Sequence, residues 1–326
     1  MGFNQSGAKR GFHYDQATES LGVFVVGTQV ADFSQVAGKT YYVNNITGSS
    51  TNDGLTWGKA VDSVGGAIEL AEAWRDTLTA NNQYVRCAIV VQGTATDCDA
   101  VATADCSYND FIGVGANVRG DGTGIARVSG ANAADAWSFT ATGRGNTWYN
   151  IQFDASGTSY CAFDCVTLLR CKFEECGFMG DAAKNESLVA GLRTTGSFAG
   201  NTIERCHIGT NWALPTSGIS CSAGFDGNLI LDNTIMAATN GIIYSGTPAD
   251  WQNVIKGNVI RATTYGIRIA NGGVGYNNTF IVGNWISSAD AISRPADGGT
   301  LGGEHSTLGN WVNDAGTVVV AETAAG

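Results

Sequence analysis

The second half of the chain repeats itself, and that constrains the fold more than any other feature. The segment GLRTTGSFAGNTIERCHI (191–208) aligns without a gap on GISCSAGFDGNLILDNTI (218–235), and GTSYCAFDCVTLLRCKF (157–173) follows with one deletion. Later copies keep only the end of the pattern: GNVI (257–260), GNWI (283–286) and GNWV (309–312). This alignment puts Ile151, Cys171, Cys206, Asn233, Asn258, Asn284 and Asn310 at one turn position, and Ala136, Gly157, Gly191, Gly218, Gly241, Gly266 and Ala291 at the start of successive copies. A period of about 25 residues is too long for a hairpin, and Gly, Asn, Thr and Ile dominate it, so helical repeats are excluded.

Each copy reads as three short strands separated by turns. Apolar residues recur three positions before the turn (Trp148, Leu168, Ile203, Ile230, Ile255, Ile281) and two after it (Phe153, Phe173, Ile208, Ile235, Ile260, Ile286, Val312). Such columns share one core only if successive copies stack at the strand spacing of ~4.8 Å. The turn residues Asn233, Asn258, Asn284 and Asn310 are then expected to form a structural ladder, each side-chain amide bonding the copies above and below.

The pattern resembles the right-handed parallel β-helix proteins of the pectate-lyase-like superfamily, over roughly residues 40–320, and is most similar to bacteriophage tailspike and head-fibre proteins. The resemblance implies an all-β fold: a right-handed single-stranded parallel β-helix with an N-terminal capping α-helix and an aperiodic N-terminal arm. The opening TYYVNNITGSSTNDGLTWGKAVDSVGGAIELAEAW (40–74) looks like the strand, Asp-Gly turn and capping helix of such chains. The helix is expected from about Gly58 to Leu78, with Ala60, Val64, Ala67, Ile68, Ala71 and Trp74 on its apolar face. Three regions follow: an arm or attachment segment (1–39) with Lys9, Arg10 and an apolar stretch at Leu21–Val26, the opening of the β-helix with its capping helix (40–110), and the coils to the C-terminal end (111–326).

Charge narrows the partners. Lys and Arg total 18 against 29 Asp and Glu, a net charge of −11, which argues against a nucleic-acid partner. No apolar run approaches the ~18 residues of a membrane span, so no membrane insertion is expected. MGFNQSGAKRGFHYDQ lacks the apolar core of a secretory signal. Nine cysteines without short even spacing read as buried thiols. Cys161, Cys165, Cys171 and Cys176 lack the paired knuckles of a zinc site, and neither a metal nor another cofactor is expected.

In the resembled superfamily, lyases and glycosidases work along the first strand of each coil. Here the expected outward positions on that strand are Ser138, Ser159, Arg193, Ser220, Ile243, Arg268 and Ser293, then Thr140, Cys161, Thr195, Ser222, Ser245, Ala270 and Pro295. Neither column holds a carboxylate, whereas glycoside hydrolysis normally needs two. Weak catalytic candidates lie elsewhere. Asp164 and Asp226 are expected in one column with Ala199 between them, ~9.6 Å apart at two coil spacings, and Glu204 forms a second acidic patch with Asp232 beside Arg170 and Arg205. His207 reads as a lone surface residue.

The position after the turn reads Gln152, Lys172, His207, Thr234, Val259, Trp285 and Trp311, changing from polar to apolar along the axis. Outward Trp285 and Trp311 on adjacent coils are candidate partner or glycan contacts, with Val259, Val282 and Leu308 extending the apolar surface. A 17-residue insertion between Phe173 and Gly191, carrying Asp181, Lys184 and Glu186, is expected to be a partner-facing loop. By architecture the chain is expected to be a non-enzymatic bacteriophage virion protein, a fibre, spike or decoration subunit. It would be made in the host cytoplasm, assemble as a homotrimer, attach to other virion proteins through residues 1–39 and have host-surface polysaccharide as a candidate ligand. The alternative is a polysaccharide-cleaving β-helix enzyme, a phage depolymerase or a lyase or glycosidase.

Overall fold

From Thr40 onward the chain winds into a parallel β-solenoid in the computed structural model, which describes residues 11–15, 20–25, 28–32, 38–78, 85–116, 118, 123–130, 134–155, 157–180, 188–211, 213–245, 252–269, 279–293, 306–314 and 317–323. The first face is a ten-stranded sheet whose coils follow in order, Val101–Ser107, Trp137–Arg144, Cys161–Leu169, Ala190–Thr194, Ser217–Cys221, Asn240–Tyr244, Tyr265–Ile269 and Asp290–Ser293, with the short strands Phe198–Ala199 and Phe225–Asp226 paired beyond Leu168–Leu169. The second face runs from Thr40–Val43, Cys87–Gln92, Asn109–Val114 and Thr147–Tyr149 through Lys172–Glu174, Thr202–Glu204, Leu229–Leu231 and Val254–Lys256 to Phe280–Val282. The third face holds Arg127–Gly130, Gln152–Ala155, Gly177–Gly180, His207–Ile208, Thr234–Ala237, Val259–Ala262 and Trp285–Ser287. The last coil is Ser306–Asp314, along which Thr317–Thr323 returns antiparallel. Gly11–Asp15, Ser20–Val25 and Thr28–Asp32 form a separate antiparallel sheet.

Period-2 alternation sends one residue of each strand inward, and coil stacking turns those residues into columns. Ile203, Ile230, Ile255 and Ile281 fill the second face and Ile208, Ile235, Ile260 and Ile286 the third, all buried. Towards the N-terminal end the same columns become aromatic. Phe111, Trp148 and Phe173 stack with centroids 5.5 and 4.5 Å apart, and on the first face Trp137 stacks on its register partner Phe163 at 6.0 Å. The opening glycines have a packing reason: a Cβ on Gly241 would stand 2.3 Å from Ile260 Cγ2 and 2.4 Å from the Gly266 carbonyl oxygen.

Two corners are pinned by side-chain amides. Between the second and third faces Asn310, Asn284, Asn258 and Asn233 form the expected ladder, and the Cys206 N–H donates to Asn233 Oδ1 at 2.8 Å. A second ladder, which the sequence reading missed, joins Asn253, Asn228 and Asn201 at the corner between the first and second faces. It continues through Cys171 and Asn146 to Asn109, whose Oδ1 accepts from Arg75 Nη1 at 3.1 Å. The residue before each ladder position takes a positive φ. Gly257, Gly283 and Gly309 do so without a Cβ penalty, whereas Arg205 and Asp232, both at φ 53°, carry one.

Several assignments in the coil after Gly157 are therefore corrected. Cys171 belongs to the second ladder, and Cys176 occupies the coil position of Cys206. Phe173 stacks in the column of Trp148 and Ile203, Leu168 pairs with Phe198, and the neighbours of His207 are Gly177 and Thr234, with Lys172 on the second face. Ala162 and Asp164, in place of Gly157 and Ser159, align with Gly191 and Arg193. The cause is chemical: Cys stands at both corner positions of this coil, and the LRCKF ending at 169–173 resembles ERCHI at 204–208 although the two lie at different corners.

The capping helix α1 is Val64–Asp76, shorter than expected. Ser63 caps it by accepting the Gly66 N–H, while Ala60 and Val61 are held outside the helix because Val61 bridges Val43. Its buried face is Val64, Ala67, Ile68, Ala71 and Arg75, with Trp74 packed at the margin of the core. Arg75 also donates to the Tyr108 carbonyl, so the helix is tied to both the backbone and the amide ladder of the first coils.

Candidate functional site

The outward column of the first face is Ser138, Asp164, Arg193, Ser220, Ile243, Arg268 and Ser293. It holds a carboxylate after all, but that carboxylate is engaged. Arg193 Nε and Nη2 donate to the two oxygens of Asp164, both at 2.8 Å. This bond is the main reason that the Arg193 guanidinium is held even more firmly in its charged form. Asp135 lies close by, its Oδ1 accepting the Cys161 N–H at 2.6 Å, and burial pushes its pKa upward.

Asp226 is not in the Asp164 column. It pairs with Ala199, which pairs with Leu169, five residues further along the strand from Asp164. That offset alone is roughly 16 Å at ~3.3 Å per residue. It exceeds the separation of about 6.5–9.5 Å at which two carboxylates flank a glycosidic bond with a water between them.

Glu204 stands on the second face between Glu174 and Leu231. Arg205 donates to Glu204, Glu174 and Glu175, and Lys172 Nζ lies 2.6 Å from Glu174 and 3.3 Å from Glu204. Three carboxylates thus share two cations, and the acidic patch inferred from sequence is a mixed network. Asp232 lies one coil beyond, at the corner position occupied by Arg205 in the preceding coil. The loop carrying Asp181, Lys184 and Glu186 lies outside the described residues.

All nine cysteines are free and buried. Burial pushes the thiols of Cys98, Cys106, Cys161, Cys171 and Cys221 up to about 12, which keeps them protonated and poorly nucleophilic. Among the described residues no group of three His, Cys, Asp or Glu could hold a metal ion, and no helix is long and apolar enough to cross a membrane.

The feature that stands out is apolar. Val259, Trp285 and Trp311 follow one another in register on the outside of the third face, 42%, 45% and 54% exposed. Leu229 and Phe280 are exposed at the start of the second-face strands, at the other end of that face from the corner shared with the third, with half-buried Val254 between them. The sequence reading missed Leu229 and Phe280, although Leu229 directly follows ladder residue Asn228. Each Trp directly follows a ladder amide, Asn284 or Asn310, whose bonds fix the backbone from which the ring projects. The rings are therefore presented by a rigid corner.

Neither a family model nor a curated protein matches the chain.

Proposed function

We propose that this chain is a non-enzymatic structural subunit of a bacteriophage particle, a fibre, spike or decoration protein that assembles with copies of itself through the outer surface of its C-terminal coils. The observation that carries this reading is the in-register exposure of Trp285 and Trp311 beside Val259, with Phe280 and Leu229 exposed on the adjacent face. At ~25 cal/mol per Å², covering half-exposed indoles and their apolar neighbours would contribute several kcal/mol to a subunit contact. A threefold assembly, attachment through residues 1–39 and location in the virion come from the architectural resemblance to tailspike and head-fibre proteins. The engagement of Asp164 by Arg193 and of Glu204 by Lys172 and Arg205 supports a non-catalytic surface.

Sedimentation tests the reading. The wild-type chain is expected to be oligomeric at micromolar concentration, and Trp285→Ser with Trp311→Ser to yield monomer or aggregate. A wild-type monomer with both indoles open to aqueous quencher would overturn assembly and leave these rings as a glycan platform.

The alternative reading is a polysaccharide-cleaving enzyme, for which Asp164 is the carboxylate in the outward column of the first sheet. Sugar release from capsular or pectic polysaccharide, abolished by Asp164→Asn in a folded protein, would establish it over the structural role.

A further inference from the structure

The N-terminal coils carry a separate feature, an open cleft of about 520 Å³ lined by Asn44, Trp57, Gln92, Gly93, Val114 and Gly115. Three of these residues come from equivalent places on successive coils. Gln92 pairs with Val114 at the ends of their strands, and Asn44 follows Val43, which pairs with Val91. The Asn44 amide is oriented by its neighbours: Oδ1 accepts the N–H groups of Ile46 and Thr47 at 3.0 Å, and Nδ2 donates to Gln92 Oε1 at 2.7 Å. Gln92 thereby has its oxygen occupied and its Nε2 hydrogens turned to no acceptor among the described residues.

Trp57 forms one wall, in the 3-10 turn Trp57–Lys59. Its ring meets Tyr42 at a tilt of 52° with centroids 4.7 Å apart and is still 41% exposed, so the contact leaves a substantial part of the indole open to solvent. The floor is bare backbone for a steric reason. A Cβ on Gly93 or Gly115 would stand 2.0 or 2.1 Å from the Gly124 carbonyl oxygen, so neither position admits a side chain. Val114, 43% exposed, adds a second apolar patch, and among the described residues no charged side chain lines the cleft.

An exposed aromatic ring beside oriented amide donors, over a bare-backbone floor and without charge among the described residues, complements a pyranose, which presents an apolar C–H face and a rim of neutral hydroxyls. The volume lies within the ~300–1,000 Å³ typical of small-ligand sites, and the open form admits an internal unit of a longer chain. We infer that this cleft binds a neutral saccharide unit of a polysaccharide, with Trp57 as the stacking platform and Gln92 and Asn44 as the hydroxyl-binding groups. A uronate or sulfated sugar would bring a charge for which the described lining residues offer no counter-ion. The inference goes beyond the proposed assembly role and uses the other end of the solenoid.

The test is calorimetric titration of the full chain with cellohexaose, maltohexaose, N-acetylchitohexaose and mannohexaose, with hexagalacturonate as the charged comparison. At least one neutral oligosaccharide is expected to bind with a Kd of about 1 mM or tighter. Trp57→Ala is expected to weaken that binding at least about tenfold and Gln92→Ala several-fold, with sedimentation unchanged. Gln92 is exposed, so its variant reports on the cleft even if loss of Trp57 disturbs the Tyr42 contact. The inference fails if no neutral probe binds, if both variants bind like the parent, or if hexagalacturonate binds as tightly as the neutral sugars. Because Trp285 and Trp311 are untouched, any of these results leaves the assembly proposal to its own test.

Discussion

The side-chain oxygen of Asn284 receives two hydrogen bonds from Asn258, one from its backbone N–H and one from its amide, both at 2.9 Å. Asn258 in turn accepts two bonds from Asn233 and donates to the Ile230 carbonyl, so a single fully buried amide closes the corner of its own coil and of two neighbours. Asn258→Ala would strip the Asn233 N–H and the Ile230 carbonyl of these partners inside the core. At ~1–3 kcal/mol for each buried group left unsatisfied, the variant is expected to lose about 2–6 kcal/mol, read as a lowered urea midpoint. A variant that unfolds with the parent would show that water replaces the amide.

Two glycine substitutions should separate packing from backbone strain. Gly283 has φ 63° and open space around its missing Cβ, so Gly283→Ala carries the left-handed penalty alone, about 1–2 kcal/mol. Gly241 is confronted by Ile260 and the Gly266 carbonyl at 2.3 and 2.4 Å, both in the stacked interior. Gly241→Ala must displace a strand as well as a side chain, and overpacking of this kind costs about 1–3 kcal/mol or more. The Gly241 variant is therefore expected to melt below the Gly283 variant, and the reverse order would contradict the close approach of the glycine and isoleucine columns.

The solenoid from Gly191 to Val312 was legible because its coils share strand lengths, so Gly, Ile and Asn recur at nearly fixed spacing. Legibility failed where the corner chemistry changes. In the coil containing Cys171 and Cys176 a thiol replaces the amide at both corners, and one deletion is enough to exchange them. The second ladder stayed hidden because one Asn per copy already explained the period, although Asn201 and Asn228 follow glycines as Asn258 and Asn284 do. The apolar surface was half readable: Trp285 and Trp311 lie beside recognised turn residues, whereas Phe280 belongs to a strand whose register rests on the unseen ladder. The N-terminal cleft had no periodic signal, since Asn44, Trp57, Gln92 and Val114 come from coils of unequal length.

Asp135 is expected to be a carboxylate that the fold tolerates at a cost. Burial raises its pKa above the ordinary 3.8, against the favourable influence of the Cys161 N–H and Arg193. A raised carboxylate pKa means that the folded state prefers the neutral form, so ionisation at neutral pH destabilises it. Asp135→Asn keeps an oxygen for the Cys161 N–H and removes the buried charge. Its melting temperature at pH 7 is expected to equal or exceed that of the parent, with the difference shrinking as the pH falls through the raised pKa and the parent protonates. A clear destabilisation at pH 7 would mean that the charge is needed to hold Arg193.

Glu174 has the opposite sign. Its pKa is held below the ordinary 4.5, first by the hydrogen bond from Lys172 and further by Arg205, with partial burial opposing them. A lowered carboxylate pKa means that the folded state binds its proton less readily than the unfolded chain. The stabilisation is therefore complete above pH 4.5 and is lost as the pH falls through the lowered value. Glu174→Gln removes both the charge and this dependence. At pH 7 the variant should be less stable than the parent by no more than about 1 kcal/mol, the range for partly exposed ion pairs. Below pH 4.5 the two unfolding curves should converge, and added salt at pH 7 should narrow the gap by screening. A gap that persisted unchanged at low pH would assign the effect to packing of the longer network around Arg205 and Glu204, because packing does not respond to the protonation of Glu174.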